Sequence, residues 1–419
     1  MFIQFTVENF RSIKTSQTLS LIASGSESEL PENIIEPQAG FKKSLLRQAA
    51  IYGPNAAGKS TLLLALEAFK SIVKISAILR DQRSLPIAPY ALDAETVLQP
   101  TVFTLTFLVE GIRYQYEVAA TEERIWHEEL TAWPQGMPQV WFARTAPKED
   151  KETWQIRSGL KGTKQQKEVW KASTRPDSLF LSIAVQLNNS QLKPIFDWIT
   201  EKLIIVTTGT PNYFPSFHQL DSAIGKERIM TFLSAADVGI DDVMVQERDN
   251  IQAGRGAVHR LSIGSQPRKI RSQTLYSIHK INNTESLAFD FSEESDGTRK
   301  LLELAGNWLN ALENGATLLV DEIDRSLHPH LVQMLVKLFG KQTNPHNAQL
   351  IFTTHDTTLL DAKLLRRDQI WFVEKQDSAT QVFSLLEFSP RKTEALERGY
   401  LLGRYGAIPF IDEFRLKNG

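Results

Sequence analysis

The chain has 419 residues, which at roughly 100–200 residues per domain allows two or three domains. Hydrophobic residues make up 42% of it and charged residues 23%, so a wholly disordered chain is excluded. Lysine and arginine number 47 against 49 for aspartate and glutamate, and the resulting formal charge of -2 excludes a uniformly basic nucleic-acid coat protein.

The amino terminus and the lack of cysteine favour a cytoplasmic protein. The segment Phe2–Val7 alternates like a half-buried strand and lacks the unbroken apolar stretch of a secretory signal. No apolar run approaches the roughly 18–20 residues that span a bilayer, so we expect no membrane contact. The absence of cysteine excludes disulfides, thiol catalysis and cysteine-ligated zinc, and it suits a reducing compartment.

The first part of the chain predicts strands around one long helix. Gln48–Tyr52 is a short apolar run of the kind found in buried parallel strands. Residues 60–79 follow with helical spacing and one broad apolar face. Residues 103–107 and 114–118 alternate on either side of Gly111, which predicts an antiparallel hairpin.

The last part of the chain predicts alternating helices and strands. Helices are predicted at 296–312 and 326–340, and buried strands at 316–320, 349–353 and 369–373. This alternation favours a parallel sheet with helical cover. The middle of the chain carries weaker helical spacing, near 191–202 and 226–235.

The clearest motif lies between the buried strand and the long helix of the first part. It reads Gly53-Pro54-Asn55-Ala56-Ala57-Gly58-Lys59-Ser60-Thr61, which fits the spacing of a phosphate loop. Glycines let backbone N–H groups turn toward phosphate oxygens, and the helix amino terminus adds a positive dipole end. We expect Lys59 to neutralise the β and γ phosphates of ATP and the Ser60 hydroxyl to ligate Mg²⁺. The alternative is a chance glycine turn before a helix.

A second motif places two carboxylates at the end of a buried strand. Thr317-Leu318-Leu319-Val320 is followed directly by Asp321-Glu322. Ligands of open α/β sheets bind at the carboxyl ends of strands. We therefore expect Asp321 to hold the magnesium ion and its water shell, and Glu322 to polarise the attacking water. The alternative is a capped strand end without a catalytic role.

Two further segments are weaker candidates. His355 closes the strand that follows the carboxylate strand, and a hydrogen bond from it to the γ-phosphate is expected. A lone histidine is otherwise usually structural or on the surface. Ser295 and Gly297 open a helix, where a hydroxyl and backbone N–H groups form an anion site. The alternative for Ser295 is an ordinary helix cap.

The order of these motifs resembles that of the ABC-type ATPase head, in the branch shared with SMC-like and double-strand-break repair proteins. Asn9-Phe10-Arg11-Ser12 matches an early strand-end motif of that branch. Several segments look like the compact ATPases of bacterial anti-phage operons, which comprise the RloA and AbiL type, OLD-type relatives and the ATPase subunit of PARIS. These segments are Pro89-Tyr90-Ala91-Leu92-Asp93, Pro100-Thr101-Val102-Phe103, Glu128-Glu129-Leu130 and the short Ser295-Asp296-Gly297.

The resemblance implies an α/β fold, a P-loop NTPase of the ABC-type head. It implies a mixed sheet, an antiparallel β subdomain, helical cover and an inserted, mainly helical region. The corresponding domains are residues 1–150 for the amino-terminal half of the head, 151–290 for the inserted partner region and 291–419 for the carboxy-terminal half.

The resemblance also implies roles for residues at the site. Arg11 and Ser12 would approach the nucleotide, and Asp324 would occupy the D-loop position. In that family two heads face each other head to tail. Ser295 and Gly297 of one copy would therefore complete the phosphate loop of the other, and ATP would hold the dimer or larger ring together.

The leading hypothesis is an ATPase that senses infection or gates a separately encoded nuclease or toxin in anti-phage defence. DNA or a phage protein would be its trigger. The alternatives are an SMC-like DNA-repair or DNA-binding ATPase without a toxin partner, a scaffold that binds nucleotide without hydrolysing it, and a transporter motor.

Two basic stretches lie in the middle of the chain. The first contains Arg157, Lys161, Lys164, Lys167, Lys171 and Arg175 with Glu168 as its acid, and the second contains Arg248, Arg255, Arg260, Arg268, Lys269 and Arg271 with Asp249. Each stretch is either a solvated surface or a contact for a phosphate backbone or an acidic partner.

Overall fold

The structure is a computed structural model. It describes residues 1–78, 84–146, 152–208, 212–236, 238–250, 270–282, 284–391 and 394–409, without the side chains of 247–250 and 270–273. The second basic stretch lies outside the described residues or among those whose side chains are not described.

The described chain begins with runs of strands around one long helix, and strands and helices alternate from α7 to β16. The strands are β1 (Phe2–Glu8), β2 (Gln17–Ser20), β3 (Ile34–Ile35), β4 (Leu45–Leu46), β5 (Gln48–Tyr52), β6 (Thr101–Val109), β7 (Ile112–Ala120), β8 (Ile125–Trp133), β9 (Gln139–Thr145), β10 (Thr153–Ile156), β11 (Leu203–Val206), β12 (Asp242–Asn250), β13 (Ile270–Lys280), β14 (Ser286–Asp290), β15 (Thr317–Val320), β16 (Gln349–Thr353), β17 (Ile370–Gln376) and β18 (Ala379–Ser384). The helices are α1 (Lys59–Ile75), α2 (Lys164–Ser173), α3 (Phe180–Gln186), α4 (Lys193–Asp197), α5 (Phe214–Leu220), α6 (Ala223–Ser234), α7 (Asp296–Asn314), α8 (Pro329–Lys337) and α9 (Leu396–Leu401).

A six-stranded sheet in the order β11-β15-β16-β5-β17-β18 carries the two sharpest motifs. All of its neighbouring pairs are parallel except β17 with β18. Strands β5, β15 and β16 are buried along their whole length, as expected for apolar runs covered on both faces. The predicted buried strands at 48–52 and 349–353 are confirmed with the same bounds.

A seven-stranded antiparallel sheet forms the second layer, in the order β10-β9-β8-β7-β6-β1-β2. The predicted hairpin is confirmed as β6 and β7, which turn at Glu110 and Gly111, both with positive φ. The apolar face of α1 belongs to the same buried core as this sheet. Within it, the Phe69 ring lies 6.2 Å from the Phe5 ring and 5.9 Å from the Phe103 ring.

The chain divides into two compact units. The first contains Met1–Gly209, Ala311–Asp324 and His328–Gly419, and the second contains Thr210–Asn310 and Arg325–Leu327. These boundaries differ from the expected division at 150 and 290. Strand β10 and helices α2 to α4 lie in the first unit because their apolar side chains join its core, and β11 extends its parallel sheet.

The second unit is built from α5, α6, most of α7 and a three-stranded antiparallel sheet in the order β12-β13-β14. The middle of the chain was expected to be mainly helical, and this sheet departs from that expectation. Helices α5 and α7 approach closely at Gly306, where a Cβ would lie 2.3 Å from the backbone nitrogen of Ser216.

Among the helices of the described part, none combines the length and apolar character that a membrane-crossing segment needs.

Candidate functional site

The phosphate-loop motif forms the turn between β5 and α1. At Gly53 the backbone passes so close to β17 that a Cβ would lie 2.1 Å from the carbonyl oxygen of Val373. Gly58 ends the loop with a φ of +111°, in the left-handed region that favours glycine. A Cβ at Gly58 would also lie 2.1 Å from Oγ1 of Thr380, so close packing requires glycine at both ends of the loop.

The first turn of α1 presents backbone N–H groups that suit an anion. The first N–H groups of an α-helix have no acceptor within the helix. The N-cap residue is Gly58, so no side chain supplies an acceptor either. The N–H groups of Lys59, Ser60 and Thr61 thus lie at the positive end of the helix dipole, where a phosphate would be stabilised.

The Lys59 side chain folds back over the loop and is only 6% exposed. Its Nζ donates to the carbonyl oxygens of Gly53 at 2.9 Å and Pro54 at 3.2 Å, and to Nε2 of His355 at 2.9 Å. Burial lowers the pKa of Lys59, although nearby carboxylates oppose this effect. The loop therefore encloses a partly desolvated cation. Its attraction to an anionic ligand is stronger than it would be in bulk water.

A cavity of ≈ 300 Å³ adjoins the loop. It is lined by Ser12, Asn55, Ala56, Ala57, Gly58, Lys59, Ser60, Thr61, Glu322 and His355. The structure therefore brings together side chains from four separate segments, which the sequence had singled out one by one.

The end of β15 holds the carboxylate pair through one neighbouring threonine. Asp321 is 1% exposed, and its Oδ1 accepts a hydrogen bond from Oγ1 of Thr353 at 2.7 Å. Oδ2 accepts from Oγ1 of Thr208 at 3.3 Å. The backbone N–H of Glu322 donates to the same Thr353 hydroxyl at 2.7 Å, with Glu322 at a φ of 49°. The Thr353 hydroxyl thus fixes both acidic residues at the carboxyl end of the sheet.

His355 lies directly beyond β16, the strand between β5 and β15. Its backbone N–H donates to both carboxylate oxygens of Asp324, at 3.3 Å each. Burial, and then the positive charge of Lys59, lower the pKa of His355. A neutral imidazole is the form that can accept the hydrogen bond from the Lys59 ammonium.

A hydroxyl network joins Ser12 to the phosphate loop. The Ser12 hydroxyl lies 3.0 Å from Oγ1 of Thr61 and 2.8 Å from Oγ1 of Thr380, whose hydroxyl also lies 2.8 Å from the carbonyl oxygen of Ala57. The backbone N–H of Thr380 donates to the carbonyl oxygen of Ser12 at 2.7 Å. No motif in the sequence points to Thr380 or Thr208, because a single threonine within or after an apolar strand carries none. Thr353 belongs to the segment Thr353-Thr354-His355-Asp356, but that pattern gives the threonine no role of its own.

Arg11 does not line the cavity. Its guanidinium lies 5.7 Å from the centre of the Phe10 ring, and its side chain is exposed. Its backbone has a φ of 49° and donates to the carbonyl oxygen of Ala88 at 2.7 Å. Contact between Arg11 and a nucleotide stays a prediction.

Ser295 and Gly297 lie in the second unit, at the start of α7. The Ser295 hydroxyl accepts from the backbone N–H of Thr298 at 3.1 Å, which is the geometry of a helix N-cap. Gly297 lies against the backbone, since a Cβ would be 2.8 Å from the carbonyl oxygen of Ser326. The capping alternative is therefore observed for Ser295, and its expected role toward a second copy stays a prediction.

The donor set at the cavity fits Mg²⁺ held together with phosphates. Among the described residues no group of three or more His, Asp or Glu side chains could hold a metal ion. Magnesium bound with phosphates takes only one or two protein ligands, because waters and phosphate oxygens complete its octahedron. The Ser60 hydroxyl and the Asp321 carboxylate would supply these ligands. Each Asp321 oxygen has lone pairs beyond its single hydrogen bond.

The sequence matches one protein family over residues 49–361, three quarters of the chain, and the family is described as "AAA domain, putative AbiEii toxin, Type IV TA system". The chain belongs to this family. Together with the phosphate loop and the parallel sheet, this membership confirms the expected P-loop NTPase fold, a nucleotide-binding ATPase fold with an antiparallel β subdomain and helical cover. A comparison with curated proteins found no match.

Solved structures with a similar fold include head domains of SMC proteins. An SMC head bound to the C-winged helix domain of ScpA is 13% identical, with a TM-score of 0.41, covering 91% of this chain and 97% of that chain. The SMC head domain from Thermotoga maritima is 14% identical, with a TM-score of 0.39, covering 91% and 98%. An SMC head with an extended coiled coil, bound to the C-terminal domain of ScpA derived from Pyrococcus furiosus, is 12% identical, with a TM-score of 0.39, covering 92% and 97%.

Proposed function

We propose that this protein binds ATP with Mg²⁺ and hydrolyses it to ADP and phosphate. One observation chiefly supports the proposal: Lys59, Glu322 and His355 line the same cavity as the phosphate loop. A cation, a carboxylate and an imidazole around a set of anion-binding N–H groups are the groups that phosphoryl transfer to water requires.

Each side chain has a role that follows from its chemistry. The loop N–H groups and the Lys59 ammonium would hold the β and γ phosphates. The Ser60 hydroxyl and Asp321 would hold Mg²⁺, which when bound supplies positive charge against the developing charge of the phosphates. Glu322 would accept the proton of the attacking water, and His355 would release Lys59 and hydrogen-bond the γ-phosphate.

Two copies would share each site, as the resemblance to ABC-type heads suggests. Ser295 and Gly297 of one copy would approach the phosphate loop of the other, and Arg11 and Ser12 would lie beside the nucleotide. Asp324 would hold His355 in place, as it does through the His355 N–H. ATP would then stabilise a homodimer or larger ring, and hydrolysis would release it.

The assembly would gate a separately encoded nuclease or toxin in anti-phage defence, with DNA or a phage protein as the trigger. The resemblance of the short segments around residues 89–103, 128–130 and 295–297 to ATPases of anti-phage operons supports this. The family description, which names AbiEii and a Type IV TA system, supports a link to a toxin.

The test is Glu322→Gln. The glutamine keeps the size of the side chain and removes the base, so ATP binding should persist while turnover falls about 100-fold or more. The ATP-bound assembly should accumulate on size-exclusion chromatography. The control is Lys59→Ala, which should lose ATP binding itself. Wild-type turnover in the Glu322→Gln protein would show that another group acts as the base, and unchanged binding in Lys59→Ala would remove the assignment of the loop.

A further inference from the structure

A basic groove of ≈ 440 Å³ lies between α2 and β10 in the first unit, away from the phosphate loop in sequence. Its lining includes Lys164, Lys167 and Lys171 of α2, together with Trp154 of β10 and one acid, Glu168. The proposed ATPase activity uses none of these side chains. We propose that this groove binds the phosphodiester backbone of a nucleic acid, without reading base sequence.

The three lysines form a row on one face of a firmly held helix. Spacings of three and four residues place them on the same side, and the row extends about 10 Å along the axis at about 1.5 Å per residue. The first turn is closed by a capping box between Thr163 and Gln166. The helix is thus a fixed support for the row of charges.

A neighbouring side of the helix, about a quarter turn from the lysine row, anchors it to the core of the unit. Trp170 is 5% exposed and belongs to the main buried cluster. Its ring packs on Gly162, where a Cβ would lie 2.8 Å from the ring. Because the backbone of α2 is held on this side, ligand binding need not order the helix and restricts only the lysine side chains.

The local charge is strongly positive in a chain that is slightly acidic overall. Residues 157–175 contain six basic residues and one acid, a net of +5, against -2 for the whole chain. The Lys167 ammonium donates to the carbonyl oxygen of Arg157 at 3.1 Å, a neutral acceptor that leaves its charge and two further donors in place. Among the described residues, neither Lys164 nor Lys171 is paired with a carboxylate. Their charges therefore remain available to an external anion.

The lining favours a nucleic-acid backbone over an acidic protein. Protein interfaces depend on aromatic and arginine anchors and are depleted in lysine. The one tryptophan of the groove is not a free anchor, because its ring packs edge-on against Phe180 and lies within 6.0 Å of two cations, Arg144 and Lys171. Lysines arranged in a row match repeated phosphates, which position a nucleic acid without specifying its sequence.

The test is the triple variant Lys164→Gln, Lys167→Gln and Lys171→Gln, titrated by fluorescence anisotropy against labelled single-stranded DNA, RNA and duplex DNA of random sequence. Wild-type protein should bind at least one of these three nucleic acids at low salt. The one that it binds most tightly identifies the kind of nucleic acid that the groove prefers. The variant should bind it at least about tenfold more weakly. Its slope of log affinity against log salt should be shallower by about 2 for a single strand, because three phosphate contacts are lost.

The matched control is Lys341→Gln, Lys363→Gln and Lys375→Gln, which removes three exposed lysines from the same unit. It should bind like wild type, and both triple variants should keep the wild-type unfolding midpoint. The proposal is overturned if wild type binds no nucleic acid at low salt, or if the two triple variants lose affinity equally. Equal competition by a poly-glutamate peptide would overturn it in favour of an acidic protein partner.

Discussion

Two residues that line the candidate site have a strained backbone. Ala56 and Glu322 are not glycines, yet they have φ values of 60° and 49°. A residue held in this region costs on the order of 1–3 kcal/mol and persists only where its surroundings fix it. Here the phosphate loop and the turn after β15 both carry such residues. Glu322 lines the cavity with its backbone held in this conformation.

Thr380 fixes the loop from the adjoining strand. Its hydroxyl bonds within the Ser12 and Ala57 network, and it lies so close to Gly58 that a Cβ there would be 2.1 Å from its Oγ1. Thr380 is fully buried. It is therefore a positioning residue, which acts on a bound nucleotide only through the loop.

We expect Thr380→Val to weaken ATP binding about tenfold with a smaller change in kcat. Valine keeps the shape but removes the hydrogen bonds of the Thr380 hydroxyl with Ser12 and with the carbonyl oxygen of Ala57, a loss of about 1–2 kcal/mol. Isothermal titration and steady-state kinetics measure the two effects separately. The control is Thr380→Ser, which retains the hydroxyl and should restore affinity. Equal weakening by serine and valine would show that the methyl packing matters and the hydroxyl does not.

The order of strands assembles the site at the scale of elements. Strand β16 pairs with both β5 and β15 in parallel, so the carboxyl ends of all three lie at one edge of the sheet. The phosphate loop, the acidic pair and His355 each follow one of these ends. Ligands of open parallel sheets bind at this edge for the same topological reason.

The antiparallel sheet contains a buried ion pair that locks α3 onto it. Glu128 and Arg144 are 0% and 2% exposed, with Oε2 of the carboxylate 2.9 Å from Nε of the guanidinium. The Glu128 carboxylate also accepts from the Tyr116 hydroxyl at 2.8 Å and from the backbone N–H groups of Phe180 and Leu181 at 2.8 and 3.0 Å. Glu128, the first residue of the Glu128-Glu129-Leu130 segment, therefore has a structural role.

We expect Glu128→Gln to lower the free energy of unfolding by about 3–5 kcal/mol, because it leaves the Arg144 charge buried without its carboxylate partner. Urea denaturation at neutral pH measures this. The control is Glu129→Gln, a half-buried neighbour on the other face of β8, whose expected cost is below about 1 kcal/mol. Equal losses for the two variants would contradict a special role for the buried pair.

At the scale of the whole molecule, the proposed composite site predicts rescue between two inactive chains. Ser295→Arg damages the helix start that a partner would use, and Lys59→Ala damages the phosphate loop. An equal mixture should recover roughly a quarter of wild-type turnover, since half of randomly formed dimers are mixed and each has one intact site of two. ATP turnover of the mixture, compared with each chain alone, measures this.

The control for the mixture combines Lys59→Ala with the double variant Lys59→Ala and Ser295→Arg, which together contain no intact site. This control should remain inactive. Recovery in it, or none in the first mixture, would contradict the head-to-tail arrangement. If wild-type protein hydrolysed ATP only when DNA was present, and needed no effector protein, this result would favour a DNA-acting ATPase over one that gates a nuclease or toxin.

The sequence by itself determined the local parts of the protein. The phosphate loop, the acidic pair after Val320 and the bounds of β5 and β16 could all be predicted, because glycine conformation and short apolar runs are properties of contiguous residues. The hairpin at Gly111 followed from alternation for the same reason. The resemblance to ABC-type heads supplied the order of the motifs.

Only the tertiary structure decided how these parts meet. Ser12 and Thr380 contact each other across 368 positions, and Thr208 reaches Asp321 across 113. No local pattern encodes such pairs, because they depend on the order of strands in the sheet. The same holds for the boundary of the first unit near Gly209, which is set by where α3, α4 and β11 find buried apolar neighbours and not by a change in composition.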